Sequence, residues 1–133
     1  MQLAPPVILG FMLGLALPAN AQEQITPDAF LDAAVNNTLT FEMYPEGGIV
    51  GVEEFLSRTR TVWSTPEGTC TYGRLEVRET QICFIYDDLP VPEHCWVPYT
   101  TDDGMIVVSV SGVKQRVSRI TRYPVICEDE AIS

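Results

Sequence analysis

The chain has 133 residues, with 18 acidic and 8 basic side chains and a formal net charge of −10. That length fits one domain. A surface this acidic repels nucleic acid and anionic membranes, which excludes partners held by basic contacts, and it attracts cations.

Val7 to Leu17 is an apolar run of 11 residues. A membrane-spanning helix needs about 20. Pro18 breaks the run, and Ala19-Asn20-Ala21 has the small-x-small pattern that a signal peptidase reads. Residues 1–21 are therefore expected to be a cleaved secretory signal. Residues 22–133 would then form one exported domain, periplasmic or secreted, with no stable membrane insertion. No Lys or Arg precedes the apolar run, so the α-amino group alone supplies positive charge there.

Gln22 to Ile25 reads as a disordered polar tail. Thr26-Pro27-Asp28 is a helix start, with Thr as N-cap, Pro at the first helical position and Asp in the first turn. Phe30, Leu31, Ala34 and Val35 share one face, so the spacing predicts a helix over 27–36. A helix this short is stable only when its apolar face is packed. The open end of a sheet or barrel is the simplest place for it.

After Asn37 the pattern turns to period two with β-branched and aromatic residues. Strands are expected over 38–44, 49–56, 61–65, 69–77, 81–86, 95–100, 105–110 and 116–123. Turn residues separate them, including Pro45-Glu46-Gly47-Gly48, Pro66-Glu67-Gly68 and Asp102-Asp103-Gly104. In the last segment Val113, Val117 and Ile120 would also share a helix face. The β-branched content favours strand. The expected fold is mainly β: one N-terminal helix, then an antiparallel up-and-down meander of about eight strands forming a small barrel or curled sheet. Closure would remove exposed strand edges.

Four cysteines in a small exported chain point to two disulfides. The intervening segments of 12, 11 and 31 residues lack the close pair typical of zinc sites. Register suggests the pairing. If the strands around 69–77 and 81–86 turn at Glu79-Thr80, Val77 faces Ile82, Leu75 faces Phe84 and Gly73 faces Tyr86. One face of this hairpin is then apolar throughout. Pairing the next hairpin about Asp87 to Glu93 places Cys83 opposite Cys95, close enough for a disulfide. Cys70 and Cys127 remain, and would tie the C-terminal segment to the strand 69–77.

Gly51 to Leu56, Thr61-Val62-Trp63, Gly68 to Gly73 (GTCTYG), Ile82 to Tyr86 (ICFIY) and His94 to Trp96 (HCW) together resemble a family of small exported bacterial proteins. The resemblance covers about half of residues 22–133 and implies export without a defined activity. Some members carry the label dihydrodipicolinate reductase. This chain has no G-x-G-x-x-G and no alternating β/α pattern, both of which a dinucleotide-binding reductase needs.

Three sets of residues could carry function. Trp63, Tyr72, Phe84 and Trp96 could line a pocket for a small apolar ligand inside a barrel. Core packing is the competing explanation, since aromatics supply much of the burial in a small domain. Asp87, Asp88, Glu93 and His94 form a polar loop that could serve a hydrolase, set against an ordinary solvated turn stiffened by Pro90 and Pro92. Lys114, Arg116, Arg119 and Arg122 could receive an anion or simply balance nearby acidity. The serines lack a G-x-S-x-G context, and one histidine leaves one possible base. No catalytic residue, metal site or cofactor is assigned. The sequence thus points to an exported binding or interaction module. Its partner would be a cationic protein, as for the periplasmic barrels of similar architecture that inhibit lysozyme, or a small apolar ligand carried in the barrel.

Overall fold

The computed structural model describes residues 1–8, 10–15 and 22–128. The expected cleavage site, Ala19 to Ala21, lies outside the described residues. Residues 1–8 and 10–15 are exposed and form no helix or strand. Among the described residues no helix is long and apolar enough to cross a membrane.

Eight strands close into an antiparallel barrel. They are β2 (Thr38–Met43), β3 (Ile49–Phe55), β4 (Arg60–Ser64), β5 (Cys70–Arg78), β6 (Gln81–Ile85), β7 (Glu93–Thr101), β8 (Gly104–Ser109) and β9 (Lys114–Thr121). Each pairs with the next in sequence, and β9 returns to pair with β2. Every strand pair among the described residues is antiparallel, so none contains the parallel unit of a dinucleotide-binding fold. The last segment is a strand, as its β-branched content favoured.

Residues 22–25 depart from expectation. Glu23–Gln24 form a short strand, β1, paired with Thr100 and Tyr99 of β7. The reason is geometric. Strand β6 covers only Glu93 to Trp96 of that edge of β7, which leaves the rest unpaired. β1 takes the vacant hydrogen bonds, and Ile25 N–H donates to the Pro98 carbonyl at 3.1 Å.

The helix α1 (Pro27–Ala34) is capped by the Thr26 hydroxyl, which accepts from Ala29 N–H. It is two residues shorter than the spacing predicted. Val35 already has extended backbone, and Asn36 takes φ 65°, a left-handed conformation that asparagine tolerates. Phe30, Leu31 and Ala34 are fully buried. They close one end of the barrel against Leu39, Phe55 and Ile82. Arg58, in the β3–β4 turn, fastens the helix by ion pairs to Asp28 and Asp32, both at 2.9 Å.

Both expected disulfides form, Cys83–Cys95 from the strand register and Cys70–Cys127 from the two cysteines that remained. The second anchors a strap that leaves β9 and runs back to the start of β5. Along it, the Thr38 hydroxyl donates to the Tyr123 carbonyl, Val125 N–H to the Glu54 carboxylate and Glu128 N–H to the Gly68 carbonyl.

Candidate functional site

The end of the barrel opposite α1 is open. Inside it lies a cavity of about 220 Å³ lined by Phe41, Val50, Glu53, Trp63, Phe84, Tyr86, Leu89, His94, Trp96, Val107 and Gln115. Strand alternation explains the lining. Inward residues recur at every second position, so Trp63 comes from β4, Phe84 from β6, His94 and Trp96 from β7 and Val107 from β8. Val50 reaches the mouth through a bulge. Phe41 faces Gly51 while Glu42 faces Ile49, leaving Val50 as the extra residue. The mouth residues Val50, Leu89, His94 and Gln115 are half-buried.

Aromatic rings run along the barrel axis from the plug to the mouth. Phe30 meets Phe55 edge-on at 6.0 Å, Phe55 meets Phe84 at 5.9 Å, and Phe84 stacks with Tyr86 at 6.4 Å. His94 lies 6.0 Å beyond Tyr86. Two glycines make room for these rings. A Cβ on Gly73 would lie 2.6 Å from a Tyr86 ring carbon, and one on Gly51 would collide with the Trp63 ring. Each ring therefore rests on bare backbone of the neighbouring strand.

One acidic side chain enters this apolar space. Glu53, at the centre of β3, is 1% exposed. It lies in phase with Gly51 and Phe55, so its side chain points inward. The Tyr86 hydroxyl lies 2.8 and 2.9 Å from its two oxygens, and the Thr61 hydroxyl bonds Oε1. Thr61 also lies 2.9 Å from the Glu54 carbonyl and has one proton to give. A neutral Glu53 satisfies every group: Glu53 Oε1–H donates to Thr61, Thr61 donates to Glu54, and Tyr86 donates to Glu53 Oε2. An ionised Glu53 would compete with the Glu54 carbonyl for the one Thr61 proton. Burial acts in the same direction and lifts the carboxyl from an ordinary 4.5 to about 8, against the smaller opposing pull of the Thr61 and Tyr86 hydrogen bonds. Burial also raises the Tyr86 phenol, and the nearby Glu53 carboxylate adds to the shift.

Of the four aromatic residues anticipated as a lining, the structure brings together Trp63, Phe84 and Trp96. Tyr72 is corrected: it is 56% exposed on the outer face, in phase with Cys70 and Arg74. The polar loop divides. His94 turns inward, and its Nε2–H donates to the Val91 carbonyl at 2.8 Å. Glu93, the preceding residue on β7, points outward and pairs with Arg78 at 2.7 Å, a contact that lowers its carboxyl below the ordinary range. Asp87 pairs with Arg74 at 3.4 Å, and Asp88 is exposed. The acidic residues therefore do not converge on His94. Arg116, from the basic segment, is held by Glu42 at 2.7 Å. Among the described residues no group of three or more His, Cys, Asp or Glu side chains is arranged to hold a metal ion.

Glu53 was not among the residues singled out from the sequence. A signal was present in the parity of β3: Phe55 ends the strand facing inward, which places Glu53 on the same side. Comparison of the chain with models of protein families, with curated proteins and with solved structures gives no match.

Proposed function

We propose that the protein is a binding module that takes one small, predominantly apolar molecule into the open end of its barrel. The observation that carries this reading is the aromatic cavity with a single buried carboxyl in its wall. Small-molecule sites have this composition: an apolar lining with few, fixed polar groups. The size is suitable. A buried apolar cavity of about 150 Å³ accepts benzene, so about 220 Å³ suits a molecule of one or two rings.

The apolar run before the barrel supports action outside the cytoplasm. So do the two disulfides, because such bonds persist in oxidising compartments. The resemblance to small exported bacterial proteins points the same way.

Both tryptophans of the chain line the cavity. Their two indole N–H signals in a nitrogen–proton correlation spectrum therefore report occupancy directly. Titration with benzyl alcohol and with naphthalene is expected to shift both signals saturably. Absence of a saturable shift with either probe refutes a ligand cavity.

A further inference from the structure

Resting on that reading, we infer that the ligand is a small organic cation, an ammonium group on an apolar body, whose charge is met by Glu53 and the surrounding ring faces. The alternative, a wholly apolar ligand, leaves the placement of Glu53 without purpose. A methylene chain there would fill the same space at no cost in desolvation, whereas a carboxyl must be satisfied by two hydroxyl partners. An anionic ligand would meet repulsion from a chain of net charge −10 and would gain nothing from the ionisation of Glu53. A cation gains on both counts. Phe41, Trp63, Phe84, Tyr86 and Trp96 also surround the cavity, and aromatic faces attract cations most strongly where water is excluded.

The titratable side chains facing this cavity are Glu53, Tyr86 and His94, among the described residues. β2, β8 and β9 contribute Phe41, Val107 and Gln115, none of them charged. At neutral pH the empty site holds Glu53 protonated, because burial raises its carboxyl. Entry of an ammonium group replaces that proton as the positive partner. The proton leaves Glu53 for solvent through the open mouth; the carboxylate keeps the Tyr86 hydrogen bond and draws the Thr61 proton away from the Glu54 carbonyl. Cation binding is therefore coupled to release of about one proton. Below about pH 8 the affinity for a permanently charged ligand rises about tenfold per pH unit.

The test uses the full barrel with both disulfides intact and two probes of nearly equal shape, benzylammonium and benzyl alcohol. Neither probe changes charge between pH 5.5 and 7.5. The indole signals of Trp63 and Trp96 are followed at each pH. Benzylammonium is expected to bind more tightly than benzyl alcohol at pH 7.5 and to weaken steeply toward pH 5.5, while benzyl alcohol stays level. Glu53→Gln should abolish both the preference and the slope. If benzyl alcohol binds and benzylammonium does not, the cavity reading stands and the cation inference fails. If neither binds, both fail. His94→Gln decides the origin of the slope: its persistence assigns it to Glu53, and its disappearance moves it to His94 and overturns the inference.

Discussion

Replacing Glu53 with glutamine should make the protein more stable, and increasingly so as the pH rises. The amide reproduces the neutral acid: its NH₂ donates to Thr61 and its oxygen accepts from Tyr86. In the unfolded chain Glu53 ionises near 4.5, whereas in the barrel it holds its proton up to about 8. Between those limits the folded state binds one more proton than the unfolded state. Stability present below about 4.5 is therefore lost as the pH rises to about 8, at about 1.4 kcal/mol per pH unit, and then levels off. The accumulated loss is about 3 kcal/mol at pH 7 and roughly 5 kcal/mol above pH 8. Glutamine does not titrate, and the other ionisable groups are common to both chains, so their contributions cancel in the difference. Urea unfolding with disulfides intact, followed by tryptophan emission from pH 4 to 9, measures it. With a urea dependence of about 1–3 kcal/mol per M, the midpoints should separate by about 1–3 M at pH 7 and converge near pH 4. Parallel curves, or a parent more stable than the variant at pH 7, would refute a neutral buried Glu53.

Gly73→Ala puts a methyl group into the Tyr86 ring and should cost about 1–3 kcal/mol in urea unfolding, with both indole signals shifted. An unchanged midpoint would show that the ring moves aside freely. Removing Cys70–Cys127 by paired serine substitution should cost about 4 kcal/mol, and removing Cys83–Cys95 about 3 kcal/mol, because the first closes the longer loop. The reverse order in urea midpoints would rule out loop length as the governing quantity. Trp96→Ala should weaken benzyl alcohol binding about tenfold, whereas Tyr72→Ala on the outer face should leave it unchanged, as read from the Trp63 indole signal. Equal losses from the two variants would place the site elsewhere.

The barrel was legible because its signals are local and repeat. Turn residues recur at short intervals, and alternation sets the register of β5 with β6 and of β6 with β7, the second of which brings Cys83 against Cys95. β1 was not legible, since two polar residues carry no periodicity and pair only because β6 ends early. The site was half legible. Trp63, Phe84 and Trp96 stand out as large aromatics on alternating strands. Tyr72 misled for the same reason, although the hairpin register that turned Gly73 and Leu75 inward already turned Tyr72 outward. Glu53 was hidden by composition. It sits beside Glu54 in a run that reads as polar surface, yet two adjacent residues of a strand cannot both face solvent when one wall of that strand is the core. Closure converts that parity into burial, and closure is a property of the whole sheet.

That closure has one seam. The barrel has eight junctions between neighbouring strands, and seven join strands consecutive in sequence. Only β2 against β9 joins distant parts of the chain, Thr38 with Thr121 and Met43 with Gln115. Hairpins form early because little chain must be ordered between their strands, whereas a distant pairing must first overcome the entropy of the segment it encloses. The meander can therefore assemble as an open, curled ribbon before the seam zips. In that ribbon Phe41 on β2 has no Val117 opposite it, and the pocket wall formed by Phe41 and Gln115 does not yet exist. Acquiring the ability to bind and completing the last step of folding are then one event, so a ligand that fits the cavity should slow the opening of the seam.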